Sequence, residues 1–228
     1  MVKRSKRYSN ASARVDRSKL YEPAEAIALL KELPGTKFDE SVEVVVKLGI
    51  DPKKSDQLVR GAVSLPKGLG KTVKVVVFAE GDKAEAAREA GADEVGSEEL
   101  AAKITDGWMD FDIVIASPDM MKYVGKLGKV LGPQGKMPSP KSGTVTPDVA
   151  KAVTEFKAGK VEFRTDAGGN VHAPVGKRSF TGEDLEVNLR AFLDYLLTLR
   201  PGAVKGPFMR KISVSTTMGP GAWISYGA

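Results

Sequence analysis

A run of glycines and lysines is the part of this sequence whose spacing most favours ligand binding. No acidic residue occurs between positions 120 and 142, and the run comprises Lys122, Gly125, Lys126, Gly128, Lys129, Gly132, Gly135, Lys136 and Lys141. Glycine lets a backbone approach a phosphate closely and lysine neutralises its charge, so the run favours a nucleic-acid contact. An exposed loop that carries lysines and turns at glycines explains the same pattern.

A second candidate is the segment Thr216-Thr217-Met218-Gly219-Pro220, which lies at the end of a predicted strand. Hydroxyls and open backbone groups at a strand end can hydrogen-bond ribose hydroxyls, and a thioether can lie against a base or sugar face. An ordinary strand end followed by a turn is the alternative interpretation.

The amino-acid composition provides few side chains that are suited to catalysis or metal binding. The chain has no cysteine, and His172 is its single histidine, so thiolate chemistry and histidine-rich metal sites are excluded. Gly70-Lys71-Thr72 resembles the end of a phosphate-binding loop, but Leu65 stands where that motif needs glycine and a strand follows. We therefore expect no enzyme, no cofactor and no metal; the rival hypothesis is a nucleotide-binding enzyme.

The distribution of charge and the hydropathy of the sequence indicate which class of partner the protein binds. The net charge is +6, while residues 68–159 carry 12 basic and 14 acidic residues, so the positive charge belongs to the two flanking segments. The first twenty residues contain no apolar run, and no stretch approaches the roughly 20 apolar residues of a membrane span. These features predict a cytoplasmic protein, monomeric when free, whose partner is a polyanion and not a membrane.

Hydrophobic periodicity predicts an α+β fold with a discontinuous domain. A helix at 22–33, strands at 37–50 and 58–65, a hairpin from Val161 to Val175, a helix to Leu199 and a strand at 211–218 form a two-layer domain of residues 1–67 and 160–228. Alternating apolar strands and helices at 68–159 predict an inserted, doubly wound α/β (Rossmann-like) domain. The basic N-terminal residues Lys3, Arg4, Lys6 and Arg7 are expected to form a mobile arm.

Five motifs in this order resemble the bacterial large-subunit ribosomal stalk protein family numbered one, L-one. They are Lys37-Phe38-Asp39-Glu40-Ser41-Val42-Glu43, Arg60-Gly61-Ala62-Val63-Ser64-Leu65-Pro66, Gly132-Pro133-Gln134-Gly135-Lys136-Met137-Pro138, His172-Ala173-Pro174-Val175-Gly176 and Thr216-Thr217-Met218-Gly219. The resemblance implies a protein of the large ribosomal subunit that binds the stalk helices of its ribosomal RNA. It also implies help in releasing exit-site tRNA and repression of translation from the messenger of its own operon.

The resemblance also implies which residues contact RNA. They are Lys37, Phe38 and Ser41 at the first strand; Thr217, Met218 and Gly219 as the principal contact; Arg164, Asp166 and His172 on the neighbouring hairpin; and Gly132, Pro133, Gly135 and, by its charge, Lys136 in the inserted domain. Two positions depart from the family pattern. Gln134 stands where arginine is common, which puts one second-domain contact in doubt, and Ser41 replaces a threonine but keeps the hydroxyl.

Overall fold

The structure is a computed structural model and describes residues 4–226. Its helices are α1 Lys6–Ala13, α2 Pro23–Glu32, α3 Asp82–Glu89, α4 Glu98–Thr105, α5 Met121–Val124, α6 Gly128–Gln134, α7 Val149–Lys157 and α8 Gly182–Thr198. Its strands are β1 Ser41–Leu48, β2 Arg60–Ser64, β3 Val75–Phe78, β4 Glu94–Gly96, β5 Ile113–Ala116, β6 Lys160–Arg164, β7 Asn170–Lys177, β8 Met209–Thr216 and β9 Ala222–Ile224. The predicted α+β class is confirmed.

Two compact units make up the chain. The first contains Met1–Gly70 and Val161–Ala228, and the second contains Lys71–Lys160.

A four-stranded antiparallel sheet in the order β7-β1-β8-β9 forms the centre of the first unit, beside a two-stranded sheet of β2 and β6. β1 is central because its sequence alternates: Val42, Val44 and Val46 are buried, while Glu43 between them is exposed. Its two neighbours both come from the C-terminal segment, so distant parts of the chain build one sheet.

Helices α2 and α8 cover one face of this sheet. α8 contributes the fully buried side chains Leu185, Leu189, Phe192 and Leu193 to the same hydrophobic core as the inward residues of β1. Its first turn is capped by Thr181, whose side chain accepts a hydrogen bond from the Asp184 amide. The outward side chains of β1, including Val45 and Lys47, remain exposed or half-buried.

The basic N-terminal segment is a helix and not the mobile arm that its charge suggested. In α1 the Ser5 side chain accepts a hydrogen bond from the Tyr8 amide at 3.3 Å, and Ala11 is buried in the core of the first unit. The expectation was therefore wrong for Lys6 and Arg7; Lys3 lies outside the described residues.

The second unit is built on a three-stranded parallel sheet in the order β4-β3-β5. Val76 and Phe78 of β3 enter one hydrophobic cluster, and Val75 and Val77 enter another, because helices pack on both faces of the strand. A continuous apolar run is typical of a parallel strand covered on both sides.

The glycine and lysine run is helical up to Gln134, so the interpretation of this part as an exposed loop that turns at glycines was wrong. A 3-10 turn at Pro118–Met120, α5, a second 3-10 turn at Gly125–Leu127 and α6 follow one another, and Gly135 ends the series in the left-handed conformation at φ 72°. The buried side chains Met120, Val124, Leu127 and Leu131 recur at helical spacing, which explains why glycines do not prevent helical structure here. Within residues 4–226, no helix is both long and apolar enough to traverse a lipid bilayer.

Candidate nucleic-acid interface

The start of β1 and the end of β8 meet at one end of the sheet, because the two strands are antiparallel and Val42 pairs with Thr216. We call the residues gathered there the strand-end surface: Lys37, Phe38, Ser41, Thr217, Met218 and Gly219. Its two apolar side chains are exposed, Phe38 by 55% and Met218 by 51%. Exposed large apolar side chains beside cations and hydroxyls offer stacking and polar contacts to a nucleotide.

Two hydroxyl groups of the strand-end surface are held by hydrogen bonds inside the protein. The Ser41 amide donates to Thr217 Oγ1 at 2.9 Å, and the Thr217 amide donates to the Ser41 carbonyl at 3.0 Å. Lys177 Nζ donates to Ser41 Oγ at 2.9 Å. A serine oxygen has two lone pairs and one proton, so the Ser41 hydroxyl keeps its own donor for a ligand.

Gly219 is required by close approach within the turn. Its amide donates to the Thr216 carbonyl at 3.1 Å, and a Cβ at position 219 would collide with Thr216 Oγ1. Thr216 itself is 5% exposed and faces the core, so it has little room to give way. The turn that presents Met218 therefore depends on glycine for its shape.

Arg164, Asp166 and His172 lie elsewhere on the first unit. Asn170 pairs with Lys47 and His172 with Val45, so at about 3.4 Å per residue the hairpin turn is roughly 20 Å and His172 roughly 14 Å from the level of Ser41 along the strand. The structure does not bring these residues together with the strand-end surface.

Asp166 organises the hairpin turn. Its carboxylate accepts hydrogen bonds from the Asn170 side chain at 3.0 Å, from the Asn170 amide at 2.7 Å and from the Gly168 amide at 2.8 Å. The Asn170 side chain, the Asn170 amide and, more weakly, His172 and the Gly168 amide lower the pKa of Asp166 to about 2. His172 Nε2 lies 3.4 Å from Asp166 Oδ2.

The outward face of the sheet connects the two ends. Ser213 and Ser215 of β8 point outward opposite Val45 and Glu43, because Ile212 and Val214 between them point into the core. Sequence reasoning missed these two serines, although their alternation with buried residues was a visible signal. They supply hydroxyls along the strip between the strand-end surface and the hairpin.

In the second unit, Gly132 and Pro133 lie in α6, and a Cβ at position 132 would meet open space. Lys136 differs from the other lysines of the run because its ammonium donates to the carbonyl oxygens of Phe111 and Met109, the latter at 3.3 Å. Its positive charge is therefore engaged inside the unit.

Exposed cations of the same run lie against an aromatic ring. Lys122 Nζ and Lys126 Nζ are 4.8 and 5.8 Å from the centroid of Tyr123, and Lys129 is exposed one turn further along. Cations over an aromatic face keep their charge available to a phosphate.

The contacts around Gly70 and Lys71 do not favour a phosphate-binding loop, and the arrangement of acidic side chains does not favour a metal site. Lys71 forms an ion pair with Asp112 at 2.7 Å, and a Cβ at Gly70 would collide with the ring of Phe180. In the described part of the chain, no three histidine, aspartate or glutamate side chains are grouped to hold a metal ion.

Comparison of the sequence with known protein families and proteins gives matches over most of the chain. The model of the Ribosomal protein L1p/L10e family matches residues 30–220. The chain belongs to this family. It is 58% identical to the large ribosomal subunit protein uL1 of Cutibacterium acnes, with 98% of this chain and 96% of that protein covered. The uL1 proteins of Kosmotoga olearia and Bordetella pertussis are 57% and 59% identical, each with 97% of this chain and 96% of the relative covered.

Membership in the Ribosomal protein L1p/L10e family confirms the resemblance stated from the five sequence motifs. The match spans β1, the inserted unit and the Thr217-to-Gly219 turn, so it covers the whole second unit and most of the first.

Proposed function

We propose that this protein is a structural, non-enzymatic component of the large ribosomal subunit that binds the stalk helices of its ribosomal RNA. The observation that carries the proposal is the strand-end surface, where hydrogen bonds between Ser41 and Thr217 join the two strand ends and the nearby apolar side chains of Phe38 and Met218 are exposed. The relatives' name as large-subunit proteins supports the same assembly and a cytoplasmic location.

Recognition in this proposal depends on shape and on ribose contacts. A rigid strand end positions hydroxyl and backbone groups at fixed spacing, and such groups distinguish RNA through its 2′-hydroxyls. The lysines add an attraction for phosphate that is independent of sequence. Arg164, Asp166 and His172 contribute at the far end of the sheet, and Ser213 and Ser215 along the outward face.

The discontinuous domain of residues 1–67 and 160–228 is assigned the main RNA contact, and the inserted domain of residues 68–159 a supporting one. Gly132, Pro133 and Gly135 would admit a phosphate close to the α6 backbone, while Lys122, Lys126 and Lys129 would neutralise it. Gln134 is exposed and supplies an amide in place of a guanidinium at that position.

Two further roles depend on the same binding chemistry. A stalk-bound protein contacts tRNA as it leaves the exit site, and a messenger that folds like the stalk RNA occupies the same surface and stops translation of the operon. Competition between a stalk RNA fragment and the operon leader for the purified protein tests the second role. If the two RNAs bind simultaneously, a shared site is refuted.

The site is tested by binding of a stalk RNA fragment to Met218→Ala. We expect at least about ten-fold weaker binding, which corresponds to roughly 1.4 kcal/mol. Val187→Ala is the matched control, because Val187 is a 41% exposed apolar residue on α8, away from the strand ends. Equal affinities for the wild type and Met218→Ala would refute the strand-end surface as the RNA site.

A further inference from the structure

One guanidinium group joins the two chain segments of the strand-end surface. Arg7 Nη1 donates to the Pro34 carbonyl at 3.1 Å, and Arg7 Nη2 donates to the Met218 carbonyl at 2.7 Å. Pro34 precedes Lys37 and Phe38 by a few residues, and Met218 lies in the turn after β8. The two acceptors belong to segments that enter the surface from opposite ends of the sequence.

We infer that Arg7 is a positioning residue for RNA binding, which fixes the Met218 turn relative to the Phe38 segment without contacting RNA itself. The inference rests on the proposed function only in naming RNA as the ligand. The bridge between the two segments is a property of the free protein and is tested separately from RNA.

The helix that carries Arg7 is anchored to the core of the first unit. α1 is anchored in the core through Ala11, which is fully buried, and the chain after the helix is anchored through Val15 at 5% exposure. An arginine is charged at every relevant pH and presents its donors in a fixed planar fork, so one side chain can hold two carbonyls at a set separation. Lysine has three donors, but all are on one nitrogen, so it cannot reproduce the spacing of the guanidinium fork.

The Met218 turn needs such a restraint. Its own backbone bonds are those from the Thr217 amide to Ser41 and from the Gly219 amide to Thr216, and the Met218 side chain is half exposed. A loop held in its bound conformation before the ligand arrives loses less conformational entropy on binding, so affinity rises without any new contact to the ligand.

The competing explanation is that Arg7 binds a phosphate directly. The two hypotheses differ in their salt dependence, because the slope of log K against log salt reports the number of phosphates neutralised. Loss of a phosphate contact lowers that slope by about one unit or less, whereas loss of a positioning contact leaves the slope unchanged and lowers affinity at every salt concentration.

The first measurement uses the full-length protein without RNA. Amide hydrogen exchange is compared in the wild type, Arg7→Ala and Arg14→Ala, the last being an exposed arginine at the other end of α1. We expect exchange at Thr217 and Gly219 to accelerate about three-fold or more in Arg7→Ala only, with the inner amides of β8 unchanged. Unchanged exchange at both amides would overturn the inference whatever the RNA does.

The second measurement is a salt series of binding to a stalk RNA fragment. Arg7→Ala is expected to bind about three- to ten-fold more weakly with the wild-type slope, Arg7→Lys to fall between, and Arg14→Ala to match the wild type. A lower slope for Arg7→Ala would identify a phosphate contact and overturn positioning. If the wild type itself fails to bind while exchange responds as expected, the proposed function fails and the bridge stands.

Discussion

Thr217 and Ser41 are joined by reciprocal hydrogen bonds, from the Ser41 amide to the Thr217 hydroxyl at 2.9 Å and from the Thr217 amide to the Ser41 carbonyl at 3.0 Å. The pair closes the sheet where β1 begins and β8 has just ended. It joins two residues that are 176 positions apart in the sequence, so the Thr217 hydroxyl helps to fix the shape of the strand-end surface.

Thr217→Val should weaken binding to a stalk RNA fragment by about ten-fold or more, corresponding to roughly 1.4 kcal/mol. Valine has nearly the shape of threonine but cannot accept from the Ser41 amide, which is then left without its partner. Thr217→Ser retains the hydroxyl and is the control. Weaker binding by the serine variant together with wild-type binding by the valine variant would show that the methyl group, and not the hydrogen bond, matters.

Lysines of the second unit should separate into two classes in a salt series. Lys129 is exposed, so Lys129→Ala should reduce the slope of log K against log salt by about 0.7 to 0.9. Sequence alone assigned a phosphate contact to Lys136, but its ammonium donates to Met109 and Phe111 carbonyls. Lys136→Ala should leave the slope unchanged and lower the free energy of unfolding by about 1 kcal/mol. A flattened slope in Lys136→Ala would show that the ammonium leaves those carbonyls when RNA binds.

Asp166 should make stability depend on pH at the acidic end. Hydrogen bonds in the folded state lower its pKa from 3.8 to about 2, so its contribution is complete above pH 4 and is lost as pH falls through about 2. Since the side chain is 41% exposed, we expect less than about 1 kcal/mol. Urea unfolding of the wild type and Asp166→Asn at pH 6 should differ, and the difference should shrink towards pH 2.

Asp56→Asn, which removes an exposed carboxylate from the loop before β2, is the control for net charge in that experiment. A difference between wild type and Asp166→Asn that stays constant from pH 6 to pH 2 would contradict the assigned role.

Arg178 should be critical for stability because it is the cation beside a buried carboxylate. Glu40 is 1% exposed, its Oε2 lies 3.4 Å from Arg178, and its Oε1 has no hydrogen-bond partner. Arg178 also donates to the carbonyls of Lys31 and Leu33. Arg178→Ala should lower the free energy of unfolding by about 3 kcal/mol, because it leaves a buried charge unpaired.

The double variant Arg178→Met with Glu40→Gln separates the charge from the packing. It should recover part of the stability lost in Arg178→Ala, since no charge is then buried. Thermal unfolding of the three proteins measures the effect, and a double variant less stable than Arg178→Ala would contradict this explanation.

Periodicity predicted the elements that bury a regular face. β1 followed from the alternation of Val42, Val44 and Val46, and β3 from its continuous valines, because burial on one or two faces leaves a pattern within a few residues. α1 was missed because Lys6–Ala13 buries only Ala11 within the helix, so its position depends on distant contacts and not on an apolar stripe.

The residues of the candidate site also fall into two groups: those that a local sequence pattern reveals and those whose role depends on contacts between distant parts of the chain. Phe38 and Met218 stand in short motifs that resemble the family, so they could be selected from the sequence, and the structure shows that both are exposed. The Arg7 bridge to Met218 spans 211 residues, and the role of Lys136 depends on carbonyls near residue 110. No local pattern contains such contacts, because they depend on how the chain closes.

The position of β1 between β7 and β8 has a consequence for the order in which the protein is made. β1 leaves the ribosome early, whereas its two neighbours begin at Asn170 and Met209, and residues 71–160 have all their own strands before either appears. Domains generally fold as units during synthesis, so the inserted unit is finished first. The strand-end surface is incomplete until Thr217 and Gly219 emerge from the exit tunnel, so the main RNA contact that we propose belongs to finished copies alone.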